Sequence, residues 1–221
     1  MNANADSLPA SRGRIPLWAK LLFTAYMAVL VPYYWYAYGP TNFLYFCDVA
    51  LFFTLAALWL ESPLLASMPT VGILLPQTLW GIDFIGILLG QPVVGLTDYM
   101  FDTNIPTFVR GLSFFHFWLP WFLVWMVSRL GYDRRAFLYW TVLAWGLVLV
   151  CYLFLPAPPA PVDNPNLPVN VNYVYGFSLK ESQTWMPQPA YVALLMVVLP
   201  TLIYAPVHFL LAKLWGNKSV K

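Results

Sequence analysis

Six predominantly apolar runs divide the chain: Leu17–Tyr38, Asn42–Leu60, Leu64–Leu89, Gly111–Leu130, Ala136–Leu155 and Ala190–Trp215. Each is close to the ~20 residues that a helix needs to cross the hydrocarbon core of a bilayer. Turn residues separate the first three, with Gly39-Pro40 after the first and Glu61-Ser62-Pro63 after the second. The pattern predicts an all-α polytopic membrane protein. Residues 17–215 form one six-helix transmembrane bundle, flanked by short tails at 1–16 and 216–221. Prolines 32, 69, 76, 120, 200 and 206 lie inside the runs. Membrane helices tolerate them where neighbouring groups satisfy the freed carbonyl, so kinks are expected.

Two connections are long. Residues 90–110 hold Asp98, Asp102 and Arg110 among apolar neighbours, as in a segment lying at the membrane interface. Residues 156–188 open with Pro156-Ala-Pro-Pro-Ala-Pro161 and continue through Asn164, Asn166, Asn170 and Asn172. That composition favours extended backbone over helix. No internal repeat is evident, which argues against an inverted-repeat transporter.

Composition points the same way. Of 221 residues, 61% are apolar and 9% charged, against about a quarter charged in globular chains. So few charges could not cover a soluble domain, and lipid must be the solvent for most of the surface. Many of the Trp, Tyr and Phe residues sit near run ends, where amphipathic rings anchor helices. Arg12, Arg14 and Lys20 about the start of the first run resemble a secretory signal. That run is too long for a signal core and ends in aromatics, so it reads as a membrane span.

Charge sets the orientation. With six spans, the tails and the turns at 61–63 and 131–135 share one side. That side holds Arg12, Arg14, Lys20, Arg129, Arg134, Arg135, Lys213, Lys218 and Lys221, against Arg110 and Lys180 on the other. The positive-inside rule then places both ends in the cytoplasm and both long loops outside. No basic face or Gly-rich phosphate loop suggests nucleic acid. Cys47 and Cys151 are too few for a disulfide framework.

Ionisable residues within spans are functional candidates by default. Asp48, Asp83, His116 and His208 qualify. At a rise of about 1.5 Å per residue, Cys47 and Asp48 lie roughly 8–9 Å below Asn42, with Asp83 and His116 at similar depth. A thiol, two carboxylates and an imidazole therefore reach one level of the outer leaflet. Ser113 shares the face of His116. Gln77, Trp80 and Asp83 step along one side of the third run, and Asn42 and Tyr45 stand above Cys47. Against a functional role, membrane bundles also use such polar groups as interhelical clips, and buried cysteines are mostly inert. His208, in the opposite leaflet, reads as a packing or interfacial residue.

Several chemistries drop out. Bis-histidine haem fails because His116 and His208 lie in opposite leaflets. Zinc lacks an H-x-x-x-H pair, and G-x-S-x-G is missing, so no metal or cofactor is expected. A proton relay through Asp48, Asp83 and His116 has only distant His208 to continue it. What remains is a Cys47 nucleophile with His116 as base, oriented by Asp48 or Asp83.

The segments Asn42-Phe-Leu-Tyr-Phe-Cys47-Asp48 and Leu112-Ser-Phe-Phe-His116-Phe-Trp-Leu-Pro120 resemble those of YwaF-like bacterial integral membrane proteins. More distantly, they are similar to androgen-induced membrane hydrolases of fatty-acid esters. Residues 42–135 as a whole also resemble uncharacterised bacterial six-helix "membrane-associated" proteins. Two features depart from the YwaF-like pattern: Tyr45 stands where a histidine precedes the cysteine, and Phe117 where glycine follows the histidine. The resemblance implies a six-helix bundle in a bacterial cytoplasmic membrane and an intramembrane dyad acting on lipid acyl groups. Cys47 and His116 would be its dyad, with Asp48 and Asp83 in support and Asn42, Tyr45, Gln77, Trp80, Ser113 and Arg110 lining the substrate. The alternative expectation is a non-catalytic protein that binds a lipid, a small ligand, a membrane-protein partner or a second copy of itself. A third, less favoured, is a proton-coupled transporter using the relay through Asp48, Asp83 and His116.

Overall fold

Proline, glycine and asparagine set the ends of the helices. In the computed structural model, which describes residues 15–91 and 93–216, the order is α1 (Leu17–Tyr38), α2 (Phe46–Leu60), α3 (Pro63–Leu88), α4 (Thr107–Ser113), α5 (Phe115–Leu130), α6 (Ala136–Phe154), α7 (Gln188–Val198) and α8 (Ala205–Trp215). Short 3-10 turns occupy Pro40–Leu44, Asp98–Met100 and Val171–Tyr173. No strand occurs among the described residues.

The helix α1 stops at Gly39, whose φ of 79° suits a residue without a Cβ. Glu61 closes α2 in the left-handed region, and Ser62 then caps α3 by accepting the Leu65 N–H at 3.3 Å. Lys20 braces that turn through a 2.7 Å ion pair with Glu61.

Five rods are long and apolar enough to cross a membrane: α1, α3, α4–α5, α6, and a continuous Gln188–Trp215 rod made of α7, Leu199–Tyr204 and α8. Only 22–44% of the residues in their most apolar windows are covered by protein. Side chains such as Leu22, Leu138, Leu202 and Phe209 stand outward, so the remaining surface needs an apolar solvent. The chain has the build of a multi-pass membrane protein.

Three boundaries differ from the sequence expectation. First, α2 starts at Phe46 rather than Asn42. Its 15 residues reach only ~22 Å at the helical rise, and Asn42 and Tyr45 stand on the turn that precedes it. Second, the fourth rod begins earlier, at Thr107, and is broken at Phe114. Third, the last rod absorbs Pro200 by widening into a π-helical stretch over Leu199–Tyr204, a common response to a disturbed i→i−4 ladder.

The central helix is α3, flanked by α2, α5 and α6. Leu51, Leu58, Val71, Leu119, Leu123, Met126 and Trp140 form its fully buried surroundings. Contact with α6 is so close at Gly72 that a Cβ there would lie 1.8 Å from Trp140 Nε1.

Opposite ends of the bundle differ in character. At one end Lys20–Glu61, Asp133 N–H to Ser67 Oγ (3.0 Å) and Tyr132 to His208 Nδ1 (2.7 Å) join the starts and turns of the helices. His208 thus has a phenol partner and packs on Phe137. Arg12, Arg14, Lys218 and Lys221 lie outside the described residues. The other end carries both long loops.

Candidate functional site

The loop end is assembled by an asparagine. Asn172, held at φ 59°, accepts the Phe46 N–H at 2.9 Å and donates to Leu44 O at 2.9 Å. Its amide also reaches Cys151 Sγ at 3.5 Å. The residues just before α2 are not α-helical, and Asn172 supplies partners for their backbone groups from the second loop. Its neighbour Asn170, at φ 50°, folds that loop back by donating to Gly176 O and Ser178 O and accepting from Tyr175 N–H. The segment is therefore a folded cap with left-handed asparagines, not the extended strap its composition suggests.

Cys47 and Asp48 occupy the first turn of α2 under this cap. Asp48 is 3% exposed. Its Oδ2 receives only the Asn42 amide at 3.4 Å and the Cys47 thiol at 3.9 Å, and its Oδ1 has no partner. Cys47 and Cys151 are both free thiols.

His116 lies two residues beyond the break at Phe114. The break leaves the Ser113 carbonyl free to take the imidazole, with Nδ1 at 2.7 Å. A carbonyl only accepts, so the proton is on Nδ1, and Nε2 carries the lone pair of the neutral ring. The ring is stacked between Phe115 (4.0 Å) and Trp80 (5.4 Å). Ser113 also pairs through Oγ with the Tyr34 hydroxyl at 2.9 Å, while the Tyr26 hydroxyl donates to Leu112 O at 2.6 Å.

Tyr99, on the 3-10 turn of the first loop, closes the group. It approaches Trp80, Ser113, Cys47 and Tyr173. Burial pushes its phenol above the ordinary tyrosine range. The Trp80 Nε1 donor is buried without a partner. Both atoms of the Gln77 amide, one turn earlier on α3, are buried without partners too.

Tyr45, Cys47, Tyr99 and His116 are half-buried at the loop end. Asp48, Gln77 and Trp80 are buried and keep polar atoms without partners.

Two residues expected at the site have other work. Asp83 is fully buried and accepts five hydrogen bonds, from the backbone N–H groups of Val93 (3.1 Å), Val94 (2.6 Å), Gly95 (3.0 Å) and Thr97 (2.9 Å) and from the Thr97 hydroxyl (2.9 Å). It anchors the first loop and has no acceptor capacity left for Cys47 or His116. Arg110 is spent similarly, on Met100 O (3.0 Å) and Thr107 Oγ1 (3.1 Å), with only Nε unpaired.

No hydrogen bond joins Cys47 and His116; the thiol's polar partner is Asp48. No group of three or more metal-ligating side chains occurs among the described residues. Sequence reasoning overlooked Tyr26, Tyr34, Tyr99, Tyr173 and Asn172, because a tyrosine at a helix end reads as an interface anchor and an asparagine in a Pro-rich loop reads as a turn. No protein-family model, curated protein or solved structure matches the chain.

Proposed function

We propose that this multi-pass protein binds the polar head of a small amphipathic molecule in a recess at the loop end, a membrane lipid being the first candidate. Both termini face the cytoplasm in this reading, and the recess lies in the outer leaflet of a bacterial cytoplasmic membrane. The observation that carries it is the set of buried, unpaired polar atoms on Asp48, Gln77 and Trp80 at the loop end. Native proteins pair nearly all such atoms, and exceptions are commonly completed by a ligand or water. Sites of this type combine apolar and aromatic walls with a few converging polar groups.

The test is composition. Protein purified in mild detergent would be extracted with organic solvent and its amphiphiles quantified by mass spectrometry. The wild type should carry one species near a one-to-one ratio, and Gln77→Leu with Trp80→Phe should lose it. A lipid profile identical to that of an unrelated membrane protein, in both forms, would end the proposal.

Acyl transfer at the same recess is favoured by one observation, the basic Nε2 of His116 turned free by the Ser113 carbonyl. It requires a bound ligand to bring Cys47 within hydrogen-bond reach of that nitrogen. In this reading Cys47→Ala and His116→Ala each abolish release of fatty acid from added lipid. Unchanged turnover in both removes it.

A further inference from the structure

At the end of the bundle away from the long loops, the turns enclose a cavity of about 380 Å³, open on one side. Its walls come from Ser62 and Leu64 at the start of α3, the turn Leu130–Arg135, and the end of α8. That volume falls within the ~300–1,000 Å³ typical of small-molecule sites. Four membrane-crossing rods begin or end at or beside this wall: α3 at Pro63, α4–α5 at Leu130, α6 at Ala136 and the last at Trp215. A bilayer that covers the rods therefore sets its phospholipid headgroups at the mouth of the cavity.

The charges at this end are unevenly answered. Asp133 holds Arg135 in a fork, with Nε donating to Oδ1 at 3.1 Å and Nη2 to Oδ2 at 2.7 Å. The Asp133 N–H in turn donates to Ser67 Oγ at 3.0 Å, which pins the turn to α3. Glu61, next to Ser62 in the chain, is spent on Lys20 at 2.7 Å. Arg134 also stands on the cavity wall, but it has no carboxylate partner among the described residues. Ser62 Oγ accepts the Leu65 N–H at 3.3 Å, which leaves its own proton to donate. Arg134 and Arg135 against Asp133 leave the cavity one positive charge. A cation entering it would meet Arg134 and find both acids taken. An anion meets an unpaired guanidinium, whose planar fork matches phosphate with two parallel N–H···O bonds. Leu64 and Leu130, half-buried on the same wall, give the cavity an apolar side as well.

We infer that this cavity seats the phosphodiester of an anionic membrane phospholipid, with Arg134 as its charged clamp and Ser62 as a second donor. Leu64 and Leu130 face the glycerol and the start of the acyl chains. The site is separate from the one proposed at the loop end and does not depend on it.

The test titrates the purified full chain in dodecyl maltoside with dioleoylphosphatidylglycerol or dioleoylphosphatidylcholine, and counts bound lipid by native mass spectrometry. The wild type should bind one phosphatidylglycerol ahead of any weaker ones, at least ~10-fold more tightly than phosphatidylcholine. Arg134→Gln should weaken that first binding at least ~10-fold, the order expected when a charge-assisted pair is lost. Arg134 is exposed, so this variant should melt with the wild type. Arg134→Lys should restore only part of the affinity, because an ammonium lacks the fork. Arg129→Gln is the charge-matched control. Arg129 lies at the same end but over the Trp125 ring at 5.5 Å, off the cavity wall, and its loss should change the affinity less than ~3-fold. Equal weakening by Arg134→Gln and Arg129→Gln would reduce the effect to diffuse charge and overturn the site. Wild-type binding in Arg134→Gln, or equal affinity for the two lipids, overturns it as well. Millimolar inorganic phosphate in a parallel titration separates the sources. Undisturbed lipid binding supports a lipid site, whereas displacement of the first lipid assigns a free anion and overturns the lipid assignment.

Discussion

The Asn172 side chain accepts the Phe46 N–H at 2.9 Å, across 126 residues of sequence. It thereby fixes the first turn of α2, and with it Cys47 and Asp48. Asn172→Ala removes that acceptor and also strips the partner from Leu44 O. Loss of a cap costs ~1 kcal/mol and each buried group left unpaired adds about 1–3 kcal/mol, so a fall of several degrees in melting temperature is expected. Exposure of the recess should accompany it, read as faster maleimide labelling of Cys47. Asn172→Asp keeps the acceptor but loses the amide donor, and should fall between. A melting temperature unchanged in Asn172→Ala would remove Asn172 from this role.

Asp83 makes a different prediction, because its partners lie in one loop rather than across the bundle. Asp83→Ala should release residues 93–97 from protection against amide hydrogen exchange while the core of α3 stays protected. Hydrogen bonds to a charged acceptor are worth roughly 1.5–3 kcal/mol each in net terms, so local protection should drop by at least ~10-fold. Asp83→Asn keeps an acceptor oxygen but loses the charge, and should retain part of the protection. Unaltered exchange at 93–97 in Asp83→Ala would mean that the loop is held by something else.

The five long apolar rods and the shorter α2 were legible in sequence because lipid demands long apolar runs. Counting residues from the helix ends puts Cys47, Asp48, Asp83 and His116 at one expected level. What each polar group does there was not legible. Asp83 and Asp48 look alike in sequence, and only the fold of residues 93–97 decides that one is saturated. The start of α2 was misplaced for a similar reason. Nothing near Asn42 signals that an asparagine from residue 172 will supply the first acceptor. Those contacts are long-range, and hydrophobic patterning carries no record of them.

Gly72 offers a test of the core. A Cβ at this position would stand 1.8 Å from Trp140 Nε1 and 1.9 Å from its Cε2, far inside van der Waals contact. Trp140 is fully buried, so the ring has nowhere to move. Gly72→Ala should therefore force α3 and α6 apart, with a loss of about 1–3 kcal/mol or more, as for other overpacked cores. Pairing it with Trp140→Leu should recover part of the loss, because the smaller side chain vacates the space. In a double-mutant cycle the two changes should be non-additive by more than ~0.5 kcal/mol. Strict additivity would show that Gly72 is not the point of close approach.

Membrane orientation can be read with single cysteines. The wild-type thiols are first replaced, and cysteine is then placed at Ser178 or Asn104 in the two long loops, or at Arg134 in the turn between α5 and α6. Arg134 shares its end of the bundle with Lys20 and Glu61 through the contacts of Ser67, Asp133 and Tyr132. In intact cells a membrane-impermeant maleimide should label the loop cysteines, while Arg134→Cys is labelled only after permeabilisation. The basis is the crowding of basic residues at the turn end, which resist transfer across the membrane. Labelling of Ser178→Cys and Arg134→Cys from the same side would break the six-span alternation itself. The reverse pattern would keep the alternation but invert the protein, placing the recess on the cytoplasmic face and changing which amphiphiles could reach it.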